Sequence, residues 1–399
     1  MKTTAAGTRP VATALHDLIC AEAQAVCQRT YGQTYRAIIL TGSLARNEAT
    51  FVKRLDGSTL LGDAEFLLVF HAGAPLPSAV AAHRVQAEIE RRLLRNGLRG
   101  TVTVSGVPPS YLHRLRPSIF AYELTRYGRV VAGDPSVLSL VRRFAPSEIP
   151  LEDAWRLLAN RIVEQLDTLR ELPADESPLP HDVHYRTVKL VLDTATSLLV
   201  FVGGYEPTYA GRSVSLSQLA GSPVAAEWPF PARAFADAVA DCTEWKLSGR
   251  PSQGASRAFW ERAVAYAEAL WAWELARLLK LRNQAPAEIL MRQWMQRQAV
   301  ADRVRSWASV LRHSGWLRSL RYWPRWVRLA LRGSPRYLVY AAAGDLLFSA
   351  GGMPPTAVSR IQRCLPVASP VPGAKSSGVR HLATDILENY YRFLVETSA

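Results

Sequence analysis

The segment Gly62-Asp63-Ala64-Glu65-Phe66-Leu67-Leu68-Val69-Phe70 places two opposing demands on a short piece of chain. Its last five residues are apolar without a break, the pattern of a strand buried in the middle of a sheet. Its opening carries two carboxylates at alternate positions. Side chains alternate along extended backbone, so Asp63 and Glu65 point to one face. Two unpaired acids at the start of a buried strand would be costly. The pair therefore reads as a site built onto the end of a central strand.

The flanking sequence supplies the rest of a sheet. Ala37 to Leu40 is a short apolar run that ends at Thr41-Gly42-Ser43, and Phe51 to Leu61 reads as two extended arms about Asp56-Gly57, a β-hairpin. Ala79 to Arg95 has apolar residues at Val80, Val85, Ile89 and Leu93 and closes on Asn96-Gly97, a helix. Thr101 to Val104 is a strand, and Phe120 to Leu124 with Arg129 to Val131 reads as a strand pair about Tyr127-Gly128. After Pro150 the periodicity turns helical, over Leu151 to Leu172, His184 to Val202, Phe235 to Leu247, Ser256 to Leu281 and finally Thr384 to Thr397. Leu365 to Ser377, rich in Pro, Ser and Gly, reads as a linker. A chain of 399 residues suits roughly two or three domains, and these patterns place them at 1–150, 151–282 and 283–399.

With 48% hydrophobic and 21% charged residues the chain has the balance of a folded protein. Cys20, Cys27, Cys242 and Cys364 show neither CxxC nor CxxH spacing, which favours neither a disulfide framework nor a zinc module. Met1 to Leu18 holds no apolar core of signal-peptide length. Val188 to Val202 and Tyr337 to Phe348 are interrupted by charge and fall short of the ~20 residues of a membrane span. The expected location is cytoplasmic.

A Gly-Ser pair directly after a strand offers backbone N–H groups and a hydroxyl to a phosphate. Two carboxylates on one face suit Mg²⁺, whose oxygen shell combines a few carboxylates with substrate phosphates. At Ile38 to Glu48 and Gly62 to Val69 the sequence resembles the polymerase-β-like nucleotidyltransferase superfamily, marked by a strand-ending Gly-Ser and a later strand of alternating acids and hydrophobics. The resemblance covers Arg36 to Val69 and, more loosely, the chain as far as Asp134. It implies an α+β fold: an N-terminal mixed sheet with flanking helices, followed by a mostly α-helical C-terminal region. It implies, too, Mg²⁺-dependent transfer of a nucleoside monophosphate from an NTP, ATP in the first instance, to an acceptor. On this resemblance Gly42 and Ser43 match the phosphate loop, Asp63 and Glu65 the paired metal ligands, and Arg46 a basic position near the phosphates. The Ser43–Asp63 gap exceeds that of compact antibiotic-modifying members, and the hairpin absorbs it as an insertion. Members usually carry a third carboxylate on a following strand. Thr101 to Ser105 holds no acid, and Glu123 is the nearest on a later strand, so Glu123 is the nominee. A chain in which nothing fills that role would bind nucleotide or polyanion without turnover.

In the helical region, Tyr185 to Asp193 and Tyr205 to Arg212 look like the partner domain such enzymes often carry, with Lys189 and then Arg212 as candidates to meet the triphosphate. Lys189 with Asp193 reads equally well as an i, i+4 surface salt bridge. His181, Asp182 and His184 read as a helix start rather than a transition-metal site. The net charge of +14 is concentrated: Arg292 to Arg336 holds eleven arginines against one acid, Asp302. Arg321, Arg325, Arg328 and Arg332 fall on one helical face with Trp316, Trp323 and Trp326 nearby. Nucleic acid, an anionic membrane surface, and core tryptophans beneath solvated arginines all remain open for it. The acceptor, base preference and oligomeric state carry no motif.

Overall fold

The computed structural model describes residues 8–173, 177–249, 256–281, 285–314, 322–349, 355–367 and 375–397. The architecture is α+β and falls into two compact units. The first comprises Met1–Pro150 with Tyr205–Ser213 and Thr243–Pro251; the second comprises Leu151–Gly204, Val214–Cys242 and Ser252–Ala399.

The first unit runs α1 (Thr8–Tyr31), β1 (Tyr35–Thr41), α2 (Gly42–Ala45), β2 (Thr50–Arg54), β3 (Gly57–Phe70), α3 (Ala79–Arg95), β4 (Leu98–Val107), α4 (Pro109–Arg114), α5 (Ile119–Tyr127) and β5 (Arg129–Gly133). The five strands form one mixed sheet in which β1 pairs antiparallel with β3 and β5, β2 antiparallel with β3, and β4 parallel with β3. The hairpin is not a detour ahead of the acidic strand. Its second arm is the first half of β3, which runs unbroken for 14 residues and slips register against β4 between Thr59 and Asp63. Alternation sorts β3 into two layers. Ala64, Phe66, Leu68 and Phe70 pack under α1 and α3 with Ile19, Ala23, Val85 and Ile89. Leu67 and Val69 face the other way, against Leu112 of α4 and Leu124 of α5.

The sequence reads Phe120 to Leu124 as a strand, and the structure corrects this. The segment is the middle of α5, whose start is fixed by the Ser118 hydroxyl accepting from the Ala121 N–H at 3.1 Å. Only Arg129–Gly133 is extended.

The second unit is helical: α6 (Leu151–Glu171), α7 (His181–Phe201), most of α8 (Tyr209–Ala220) and α9 (Ala232–Ser248), α10 (Arg257–Leu278), α11 (Ala287–Arg297), α12 (Val300–Ser314), α13 (Trp323–Ala330), α14 (Pro335–Phe348), α15 (Pro355–Cys364) and α16 (Lys375–Thr397). Its centre is aromatic. Trp155, 0% exposed, stacks on Tyr337 at 5.5 Å between centroids and meets Trp271 at 4.7 Å. No helix among the described residues is long and apolar enough to cross a membrane.

Two sequence expectations change here. Asp193 is buried, with Arg161 Nε donating to its carboxylate at 2.6 Å, so it is no part of a surface salt bridge. The four arginines do not form one helical face either. Arg321 lies outside the described residues, as do Trp316 and Arg318, and Arg332 follows the end of α13. Arg325 turns inward and donates to the carbonyls of Gln362 and Leu365 at the end of α15. Trp307 and Trp326 are buried, their rings 5.7 Å apart.

Candidate active site

Strand β3 delivers Asp63 and Glu65 to the same side as Leu67. Both acids are solvent-exposed, although Phe66 beside them is buried. They line a cavity of about 480 Å³ with Thr41, Thr103, Ser105, Tyr111 and Phe120. The desolvation cost that the sequence raises for two acids on a central strand is thus met by opening the sheet to water at that point.

The Gly-Ser turn is brought against the second acid. β1 pairs with β3 through Thr41 opposite Glu65, and the Thr41 hydroxyl donates toward Glu65 Oε2 at 3.3 Å. Gly42 follows at φ +69°, and a Cβ built there would sit 3.1 to 3.2 Å from all three carboxylate atoms of Glu65. Glycine is needed at this position twice over, for the left-handed backbone and for the approach of the acid. Ser43 is the second residue of the single turn of α2, which is tied off by the Glu48 N–H donating to the Ser43 carbonyl at 2.8 Å.

Beside this turn lies a buried ionic cluster that unites three sequence candidates. Arg46 and Arg212 have side chains 5% exposed, and both pair with Glu123, Arg46 on Oε2 and Arg212 on Oε1. The Tyr205 hydroxyl donates to Glu123 Oε1 at 2.8 Å. Arg46 Nε also donates to Glu48 at 3.0 Å, and Glu48 accepts the Tyr209 N–H at 2.8 Å. The Tyr209 ring is covered by Arg46, Arg212 and Lys246 at 5.4, 5.2 and 5.8 Å from its centroid. The Glu123 and Glu48 charges hold the Arg46 guanidinium above its usual range against the opposing pull of burial. Burial raises the Tyr205 phenol. Glu123 therefore sits on a helix with both oxygens taken by guanidinium groups, which is not the strand position expected of a third metal ligand.

The strand that follows β3 is β4. Thr103 is the register partner of Glu65 in the parallel β3/β4 pair, and Ser105 follows on the same face. Hydroxyls stand there, and among the described residues no three His, Cys, Asp or Glu side chains gather as a metal-binding group. Lys189 lies on α7 in the second unit, its ammonium 5.7 Å from the centroid of the Tyr185 ring. The sequence misses Tyr111 and Phe120 as cavity walls, because nothing in their spacing marks them. Thr103 and Ser105 were legible in principle from the alternation of β4.

No family model matches the sequence, and no curated protein matches it. A spectinomycin adenyltransferase from Enterococcus faecialis, solved with ATP and spectinomycin, is similar in structure over 63% of this chain and 98% of its own, at 12% identity and a TM-score of 0.37. Likeness at that level assigns no activity.

Proposed function

We propose that the first unit binds a nucleoside triphosphate at the Gly42-Ser43 turn and transfers its nucleoside monophosphate to an acceptor, releasing pyrophosphate. One observation carries this reading: two exposed carboxylates on one face of β3 line a cavity, and the glycine of the Gly-Ser turn packs on the second of them. The donor set is made of oxygens alone, two carboxylates with the Thr103 and Ser105 hydroxyls across from them, and this chemistry fits Mg²⁺. Asp63 and Glu65 would hold the ion, which when bound supplies charge neutralisation on the phosphate oxygens. The Gly42 and Ser43 N–H groups and the Ser43 hydroxyl take phosphate oxygens, with glycine permitting close approach. Tyr111 and Phe120 offer partly exposed ring faces to a base. Arg46 and Arg212 act from within the Glu123 cluster as fixed positive charge rather than as direct phosphate ligands.

A second reading is favoured by Thr103 and Ser105 standing where a third acid would be: a site that binds nucleotide and does not turn it over. One experiment separates the two. Pyrophosphate release from each NTP with Mg²⁺ is measured for the wild type and for Asp63→Asn/Glu65→Gln, with nucleotide binding followed by calorimetry. Release that is lost in the double variant supports transfer. Mg²⁺-dependent binding without release supports the second reading. Wild-type release in the double variant, or no nucleotide binding at all, refutes both.

A further inference from the structure

In the second unit, α10, α11, α14 and α15 enclose a cavity of about 430 Å³, within the size range of small-molecule sites. Its floor is apolar, built from Trp271, Met291, Met295, Leu338 and Phe348, and its two methionines make the surface adaptable. Its rim is ionic and unbalanced. Arg360 donates from Nε to Asp345 at 2.8 Å and pairs also with Glu288, so one guanidinium answers both rim acids. Arg292, Arg332 and Arg363 line the same rim, are exposed, and have no carboxylate partner among the described residues. The charges converge: Arg332, Arg360 and Arg363 all favour the thiolate of Cys364, while burial pushes that thiol up to about 11, and Arg292 acts on Asp345.

We infer that this cavity binds a small amphiphilic anion, with a carboxylate or phosphate head on Arg292, Arg332 and Arg363 and an apolar body on the floor around Met291 and Phe348. Guanidinium forks match either head group. A polynucleotide does not fit, because the floor is recessed and Trp271, at 2% exposure, presents no face on which a base can stack. The excess charge of the Arg-rich stretch thereby gains a specific use, separate from the nucleotide site.

The test is calorimetric titration of the full chain with decyl phosphate below its micellar concentration, beside inorganic phosphate, decanol, vesicles of phosphatidylglycerol and a single-stranded RNA oligomer. Saturable one-to-one binding of decyl phosphate is expected, weakened at least tenfold in Arg292→Gln/Arg332→Gln. These are exposed positions whose loss leaves the apolar floor intact. Decanol and inorganic phosphate should each bind at least tenfold more weakly than the amphiphile. Ala341→Phe, which fills the cavity from α14, should abolish binding while the thermal transition persists. Equal affinity for decanol and decyl phosphate, undiminished binding in the arginine double variant, or no saturable binding overturns the inference. So does binding of vesicles or RNA, lost in the double variant, without binding of the soluble amphiphile.

Discussion

Replacing Gly42 by alanine separates backbone strain from the local chemistry. At φ +69° a non-glycine residue costs roughly 1–2 kcal/mol, and the added Cβ meets Glu65 Cδ and both carboxylate oxygens at 3.1 to 3.2 Å. That contact calls for a displacement of a few tenths of an ångström. Glu65 is exposed and can swing away, so most of the stability loss comes from the backbone. On the proposed reading, however, the carboxylate is shifted from the place where it acts with Asp63; misplacement of about 1 Å in such a site costs on the order of 10²-fold, so a shift of a few tenths of an ångström should cost roughly tenfold. Gly73 supplies the control: it has φ +81°, and a Cβ there meets nothing within 4 Å. Urea unfolding should show Gly42→Ala and Gly73→Ala destabilised alike, by about 1–2 kcal/mol. Mg²⁺-dependent nucleotide affinity should fall at least tenfold in Gly42→Ala and stay unchanged in Gly73→Ala. If both variants keep wild-type affinity, or both lose it equally, the contact between Gly42 and Glu65 has no part in the site.

Glu123→Ala leaves Arg46 and Arg212 buried without their shared acid, and breaking a buried pair in this way costs about 3–5 kcal/mol; Glu123→Gln, which still accepts from Tyr205, should lose less, and a denaturation midpoint unchanged in both variants would contradict the cluster. Thr103→Asp places a third carboxylate opposite Glu65 and should tighten Mn²⁺ binding and raise pyrophosphate release severalfold, whereas unchanged metal affinity would show that β4 does not face the metal position. Glu274 on α10 is 0% exposed, and burial holds its carboxyl well above 4.5. The folded chain therefore keeps a proton that the unfolded chain releases, and stability falls by about 1.4 kcal/mol per pH unit from the unfolded titration up to the folded one. Glu274→Gln should remove that slope, converging with wild type below about pH 4.5 and exceeding it near neutrality; parallel unfolding curves from pH 4 to 7 would refute this.

What the sequence discloses of this site follows from how far each interaction reaches along the chain. β1, β3 and α3 are written in local periodicity, and Asp63 and Glu65 share a face by alternation alone. Phe120-Ala-Tyr-Glu-Leu124 misleads because it combines β-favouring aromatics with a strand-like alternation, while the Ser118 cap that makes it a helix lies just outside the run. The partners of Glu123 are less visible still. Arg46 is 77 residues before it and Arg212 is 89 after it, and nothing local shows that all three meet.

That meeting explains how a half-buried turn of four residues is held still. The Glu48 backbone ties to Ser43, its side chain ties to Arg46 and to the Tyr209 N–H, and Arg46 ties through Glu123 to Arg212. The Gly-Ser turn is thus anchored to a segment more than 160 residues away in sequence. The cluster gathers Arg46, Arg212 and Lys246 around the Tyr209 ring, with Glu48 and Glu123 paired to the arginines. Buried charge of this kind is weak evidence for stability and better explained by the geometry it enforces. Here it fixes the conformation of an N–H-rich turn and sets guanidinium groups beside it, and on the proposed reading both would favour a phosphate at Gly42-Ser43. Loss of nucleotide affinity in Glu123→Gln with the fold retained is the result this account requires, since a purely structural cluster would lose stability and leave the affinity of the folded fraction unchanged.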